Sequence, residues 1–294
     1  MNELQSKILE ILKVFIKVCD KHNLKYYLKG GSVLGAIRHK GFIPWDDDAD
    51  VMMPREDFEK LLKLQDEFTP YDYFVQSWKS DKKYLYGFAK IRDNKTTMIE
   101  KPFALFEMNH GIWLDIFPLD GVDYKDELRP KKYAHKMRYI WVEMMGFCYL
   151  WSLRRKFHLR TFFLDLVLNL GALLWCWGNL FNYRNRWIDH WAKSIKFEKA
   201  KMVGSYFSYY FTHEAFPKEW LGEGVLVPFE DTMVRVPSEW DKYLTLVFGD
   251  YMTPPPEDKR GTLHFLSGMS TTIGYKEYID EHRYHKKPKS KENK

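Results

Sequence analysis

Four aspartates, Asp46, Asp47, Asp48 and Asp50, fall within five residues of a 294-residue chain. The last two flank Ala49 and run into apolar Val51, Met52 and Met53. Side chains two apart in a strand point to one face, so the spacing predicts a strand over 49–53 with two carboxylates on the same side. Like charges so placed repel unless a cation sits between them, and hard divalent cations with oxygen ligands meet that need. Mg2+, or Mn2+ in its place, takes one or two carboxylates together with substrate phosphates. The alternation of Asp46, Asp48 and Asp50 leaves open which pair would hold the ion. A calcium loop of the EF-hand kind needs Gly at its sixth position and Glu at its twelfth. Val51 and Asp57 stand there, which excludes it.

Upstream of the aspartates lies Gly30-Gly31-Ser32. Most such triplets are ordinary turns. Between a strand and a helix, however, this one aims backbone N–H groups and the Ser32 hydroxyl at an anion, where a helix N-terminus favours negative charge. A phosphate cradle and a metal seat in one short unit point to phosphoryl chemistry, with Asp48 and Asp50 as its catalytic acids. Asp115 lies inside the apolar run Ile112 to Phe117. An acid in that setting is either a paired structural group or a third metal ligand brought to Asp48 and Asp50 by a neighbouring strand. A diphosphate needs cations beyond the metal. Lys90 and Arg92, alternating on a predicted strand, suit that role best, ahead of Arg38, His39 and Lys40. Each is otherwise an ordinary surface charge.

The elements that must hold these groups are legible in the periodicity. Leu4, Ile8, Ile11, Leu12, Phe15 and Cys19 have helical spacing, which predicts a helix over 3–21. A strand over 25–28, a helix over 32–39 capped by Ser32, the acidic strand and a helix over 55–64 follow. Strands are expected over 73–77, 88–92, 96–99 and 112–117. Residues 1–122 therefore read as a mixed α/β catalytic core. Residues 123–200 read as a helical, aromatic-rich insertion, with apolar runs at 139–151 and 162–181 around Arg154, Arg155, Lys156 and Arg160. A helix over 162–181 would reach about 30 Å, a bilayer's thickness. Asp165, Asn169 and Asn179 are costly in lipid, so a helix pair lying on an anionic membrane surface is expected over a span. Residues 201–283 return to α/β structure, with a hairpin turning at Glu230-Asp231. A helix opens there at a Ser238/Asp241 capping box and ends at Gly249. The basic tail, 284–294, is expected to be disordered. The fold class is α+β: a mixed-sheet core, a helical insertion and a C-terminal α/β segment.

Composition bears on the partners. The net charge of +6 is mild and suits nucleic acid, phosphate-rich substrates and an anionic membrane surface equally well; the family resemblance given below implies no nucleic-acid partner. The three cysteines form no CxxC pair, so neither a zinc site nor a disulfide framework is suggested. The charged N-terminal helix is not a signal peptide, which predicts a cytoplasmic protein held peripherally at the inner membrane face.

These blocks carry a resemblance. Gly30 to Val51 followed by PREDFEKL is similar to the LicD family, phosphotransferases of the nucleotidyltransferase superfold related to fukutin and fukutin-related protein. KIRDNKT, HGIWLDIFPLDG, VPFE and YLTLVFGDYMTPPP resemble later blocks of that family in the same order, although Ser32 stands where many members have Thr. The resemblance implies a nucleotidyltransferase-like core and Mg2+-dependent transfer of a phospho-alcohol, phosphocholine from CDP-choline foremost. The acceptor would be a sugar hydroxyl of a lipid-linked glycan or teichoic acid precursor, with CMP released. It matches Asp48 and Asp50 to the paired metal acids, Asp115 to the third, Gly31-Ser32 to the phosphate-facing turn, and Asp46 to the same metal block. Two other readings stand beside it: a nucleotidyltransferase that adds a whole nucleotide to a small molecule, and a non-catalytic membrane-associated scaffold.

Overall fold

The structure is a computed structural model that describes residues 1–104, 106–122, 180–208, 214–261 and 264–282. The apolar run 139–151, nearly all of 162–181 and the tail 284–294 lie outside the described residues. Among those described, no helix is long and apolar enough to cross a membrane.

Helix α1 (Glu3–Lys21) starts at a capping box: Asn2 accepts from the Gln5 N–H, and the Gln5 side chain accepts from the Asn2 N–H. Its apolar stripe, Ile8, Ile11, Leu12 and Phe15, is fully buried. Strand β1 (Tyr27–Leu28), helix α2 (Gly30–His39), strand β2 (Asp50–Pro54), helix α3 (Arg55–Leu61) and helix α4 (Gln65–Phe68) follow. Then come β3 (Tyr73–Gln76), β4 (Ala89–Asp93), β5 (Thr97–Glu100) and β6 (Ile112–Val122). Beyond residue 180 lie α5 (Leu180–Ala192), β7 (Met202–Gly204), β8 (Phe216–Pro217), β9 (Val225–Phe229), β10 (Thr232–Val236), α6 (Trp240–Phe248), β11 (Leu266–Ser270) and α7 (Tyr275–His282). Helices and a mixed sheet bear out the α+β expectation.

The main sheet runs β1-β2-β6-β4-β3, with β7 on the far end of β6 and β8 beside β7. Among the described strands of this sheet, β2 and β6 are parallel and the other pairs are antiparallel. Their register decides the chemistry. Asp50 is the partner of Asp115, and Asp115 is the partner of Lys90, so three strands place these residues in one lateral row. Alternation puts Met52, Trp113, Phe117 and Arg92 on the same face. Residues of the opposite parity, Val51, Met53, Ile91, Leu114 and Ile116, are fully buried in one core with the α1 stripe. Strand β5 pairs with β11, so the C-terminal segment docks directly on the core.

Arg55 fixes the end of this frame. It donates to both Asp120 carboxylate oxygens, at 2.7 and 2.5 Å, and to Asp189 at 2.9 Å, tying α3 to β6 and α5.

Three local expectations are corrected. Ser32 lies inside α2, and Lys29 is the residue before its first turn. Its hydroxyl instead accepts the Asp50 N–H at 2.8 Å, joining α2 to the acidic strand. Helix α6 has no capping box: Ser238 lies in the preceding turn and accepts the Gly224 N–H, while the Glu239 side chain, which pairs with Lys242 at 2.9 Å, caps no backbone N–H. Strand β6 continues through Pro118, because β2 pairs with it as far as Leu119 and β7 takes over from Asp120.

Candidate active site

The acidic loop between α2 and β2 is braced from three sides. Helix α2 ends with Lys40 in the left-handed region, and the chain folds back so tightly that a Cβ on Gly35 would lie 2.5 Å from the Gly41 carbonyl oxygen. The hairpin β9–β10 sends Glu230 from its turn to accept the Phe42 N–H at 3.1 Å, and the Glu230 N–H donates to the Lys40 carbonyl at 2.7 Å. From α1, the buried Gln5 amide donates to the carbonyls of Ile43 and Asp46 at 3.2 and 3.0 Å. The loop is thereby delivered to the row on the sheet in a fixed shape.

Asp48, Asp50 and Asp115 each offer a carboxylate oxygen within 4.8 Å of the other two. Asp46 stands next to them; a Cβ on Gly31 would come within 3.3 Å of its Oδ2, so Gly31 keeps that space open. Burial, and then the charge of Asp46, push the Asp48 carboxyl up to about 8, while His264 pulls the other way. Burial, followed by Asp48, pushes Asp50 well above the usual carboxylate range against the pull of Lys29. Burial also lifts Asp46 to about 6, helped by Asp50 and opposed by a hydrogen bond with Asp48. Negative charge is thus held together at a cost that a divalent cation would remove. The donor set, hard carboxylate oxygens on a rigid sheet, fits Mg2+ or Mn2+.

The structure places the expected cations differently from one another. Lys90 lies in the row, fully buried, 2.9 Å from Asp115 Oδ1 and 3.9 Å above the Trp113 ring. Trp113 Nε1–H also donates to Asp115 Oδ2, at 3.1 Å. Asp115 is therefore both a paired interior acid and a member of the carboxylate group. Arg92 is wholly interior: it donates to the Gln76 side chain and the Gly111 carbonyl, each at 2.7 Å, and stacks on Trp113. The period-2 reading gave it the right face but not the lid that Trp113 puts over it, and it is not placed to meet a phosphate. Arg38, on the last turn of α2, donates to the Tyr251 carbonyl at 2.6 Å. Gly30 adopts a positive φ of 52° and gives its N–H to the Tyr243 hydroxyl at 3.0 Å.

Lys29, its partner Glu214 and His264 were not singled out from the sequence. Lys29 is buried with its Nζ 2.9 Å from the Glu214 carboxylate. Burial would lower its pKa, but Glu214, Tyr243 and Asp50 together raise it, so the ammonium stays charged beside Asp50. His264, just before β11, puts Nδ1 3.0 Å from Asp47 Oδ1 and Nε2 3.9 Å from Asp48 Oδ2. Burial opposes its protonation, but Asp47 and Asp48 outweigh that and raise it to about 9. Only the position of Lys29, directly before the Gly-Gly-Ser turn, hinted at its role.

A stability measurement follows from these shifts. Asp46 and Asp48 hold protons in the folded state that the unfolded chain releases near its ordinary value of 3.8. Their stabilising contribution is complete below that value and is lost as pH rises through about 6 and 8. His264 acts in the same direction, up to about 9. Glu59, held near 2, does not titrate in this window. In chelator, the melting temperature should fall by at least about 4 °C between pH 5.5 and 8.5, given roughly 2–4 °C per kcal/mol for a chain of this size. Added Mg2+ should close the gap. A flat profile in scanning fluorimetry would show that the acids are not strained.

Residues 23–147 match the family described as LicD/FKTN/FKRP, nucleotidyltransferase domain. The chain is 28% identical over 271 residues to the lipopolysaccharide cholinephosphotransferase LicD of Haemophilus influenzae, covering 90% of this chain and 96% of that one. Over 56 residues it is 42% identical to the ribitol 5-phosphate transferase FKRP of Homo sapiens, a match covering 19% of this chain and 11% of that protein.

Proposed function

We propose that this chain, a LicD-family transferase, moves a phospho-alcohol from a cytidine diphosphate donor, CDP-choline foremost, to a sugar hydroxyl of a lipid-linked glycan or teichoic acid precursor. The reading rests on the relative's cholinephosphotransferase activity. The observation that carries it at this site is the row Asp50–Asp115–Lys90 with Asp48 beside it. The core is read as a nucleotidyltransferase-like sheet on the strength of the family match.

In the reaction, the sugar oxygen forms a bond to the phosphorus distal to cytidine. The bond from that phosphorus to the bridging oxygen breaks, CMP leaves with the electron pair, and the hydroxyl proton is released. Asp48, Asp50 and Asp115 would hold Mg2+ or Mn2+, with Asp46 at their side. When bound, the ion neutralises charge on the transferring phosphate and orients it. The chain's own groups do the remaining work. Ser32 pins the Asp50 backbone, and the Arg55 clamp holds the strand that follows. Lys90 pairs with Asp115 and fixes it in a dry interior, and Lys29 adds positive charge next to Asp50. Trp113 and Phe117 exclude water from the face beneath.

CDP-choline, CDP-ribitol, CDP-glycerol and CDP-ethanolamine, each with Mg2+, should be separated first by thermal shift. A ligand at 100 times its dissociation constant adds about 2.7 kcal/mol of stability. The donor that stabilises most should then release CMP when a glycan acceptor is supplied. A product that retains the nucleotide would identify a nucleotidyltransferase instead, and no turnover with any donor would favour a scaffold.

A further inference from the structure

We infer that His264 is a positioning residue for the metal-binding acid Asp48, brought to the site by the C-terminal strand. The inference rests on the proposed metal role of Asp48. His264 lies well beyond residues 23–147, the stretch that matches the family.

The geometry has three parts. Strand β11 pairs with β5 in the register Leu266 to Glu100, and the Lys101 N–H donates to the Phe265 carbonyl at 2.7 Å. These backbone bonds fix the chain immediately after the imidazole's attachment point. The ring is then oriented by Asp47, 3.0 Å from Nδ1, and by the Trp113 ring, met edge to face at 5.5 Å between centroids. With Nδ1 engaged, Nε2 is directed toward Asp48 Oδ2, 3.9 Å away. Asp48 needs one oxygen for an ion shared with Asp50 and Asp115. The His264 imidazole, within ion-pair distance of Asp48 Oδ2, is then positioned to steady that carboxylate as it ligates. Carboxylates that ligate metals are themselves held by hydrogen bonds, and losing such a partner costs 10- to 100-fold in metal affinity or activity.

The choice of Asp47 as anchor also explains the run of three consecutive acids, Asp46 to Asp48. Asp48 faces the carboxylate group and Asp47 faces the imidazole, so one short segment supplies both a ligand and the support for the residue that aims it.

The test is Mn2+ binding, read directly by the loss of the free-ion electron paramagnetic resonance signal and by thermal shift, on wild type, Asp50→Asn, His264→Ala, His264→Gln and Asp47→Ala. Wild type is expected to bind one ion per chain, and Asp50→Asn to lose it. His264→Ala and Asp47→Ala should bind 10- to 100-fold more weakly, and His264→Gln, whose amide can still donate to Asp48, should recover much of the loss. Wild-type affinity in His264→Ala overturns the inference and leaves the metal reading intact. No binding by wild type overturns the metal reading itself. Two ions in wild type and one in His264→Ala would make His264 a ligand, which also overturns the positioning role. Asp47→Ala keeps the question answerable if His264→Ala does not fold.

Discussion

Asp50→Asn will leave a folded protein that turns over at about one hundredth of the wild-type rate or less, because placing a cation on the transferring phosphate is worth several kcal/mol. Folding will not suffer, because Asp50 is ionised only against burial and the neighbouring charge of Asp48. The amide removes that repulsion, so the metal-free melting temperature should hold or rise while CMP release collapses. Asp48→Asn should behave in the same way. Asp115→Asn should not. Lys90 is fully buried 2.9 Å from Asp115, and neutralising the acid leaves that ammonium with only the longer pair to Glu100, at 3.9 Å, in the interior. That variant should lose activity and melting temperature together, and combined with Asp48→Asn its kinetic loss should be far from additive. An Asp50→Asn enzyme with more than about a tenth of the wild-type rate at saturating Mg2+ would remove the metal site from this row.

Arg55→Ala is the substitution expected to cost most stability, about 3–5 kcal/mol, equivalent to a fall of roughly 10 °C in melting temperature. Asp120 is 1% exposed and receives both of its charged hydrogen bonds from Arg55. Without the guanidinium it is a buried charge whose remaining positive neighbour among the described residues is the more distant Lys193. Asp189 fares better, because Lys193 lies 2.6 Å away. Burial already lifts the Asp120 carboxyl against the pull of Arg55, so losing the guanidinium should lift it further. The double variant Arg55→Ala, Asp120→Ala should recover part of the loss, since it removes the orphaned charge. A single-variant drop of under about 3 °C in calorimetry would show that water reaches this pair.

The acids were legible because their signal is local. Asp48 and Asp50 sit two apart before an apolar run, and Asp115 interrupts another; both patterns follow from the period of a strand. The turn at Glu230-Asp231 was legible for the same reason. What escaped depends on meetings that no local pattern records. Lys29 finds Glu214 across 185 residues, and His264 finds Asp47 across 217. Ser32 had the composition of a helix cap, but the neighbouring strand offered its hydroxyl a competing N–H. Arg92 had the right alternation, yet periodicity names a face without saying what covers it. Trp113, on the next strand, decided that.

The docking of β11 on β5 also sets a schedule for biosynthesis. The aspartates leave the ribosome long before the residues that surround them. At about 5–20 residues per second, the 217 residues between Asp47 and His264 take roughly 10–40 s to make. Glu214 and Tyr243 are also late arrivals. Throughout that interval the growing chain carries its acids without the imidazole that orients one of them or the buried carboxylate that pairs with Lys29. The centre cannot be finished while its own strands are being translated, and the order of the codons acts as a delay between making the acids and assembling their surroundings.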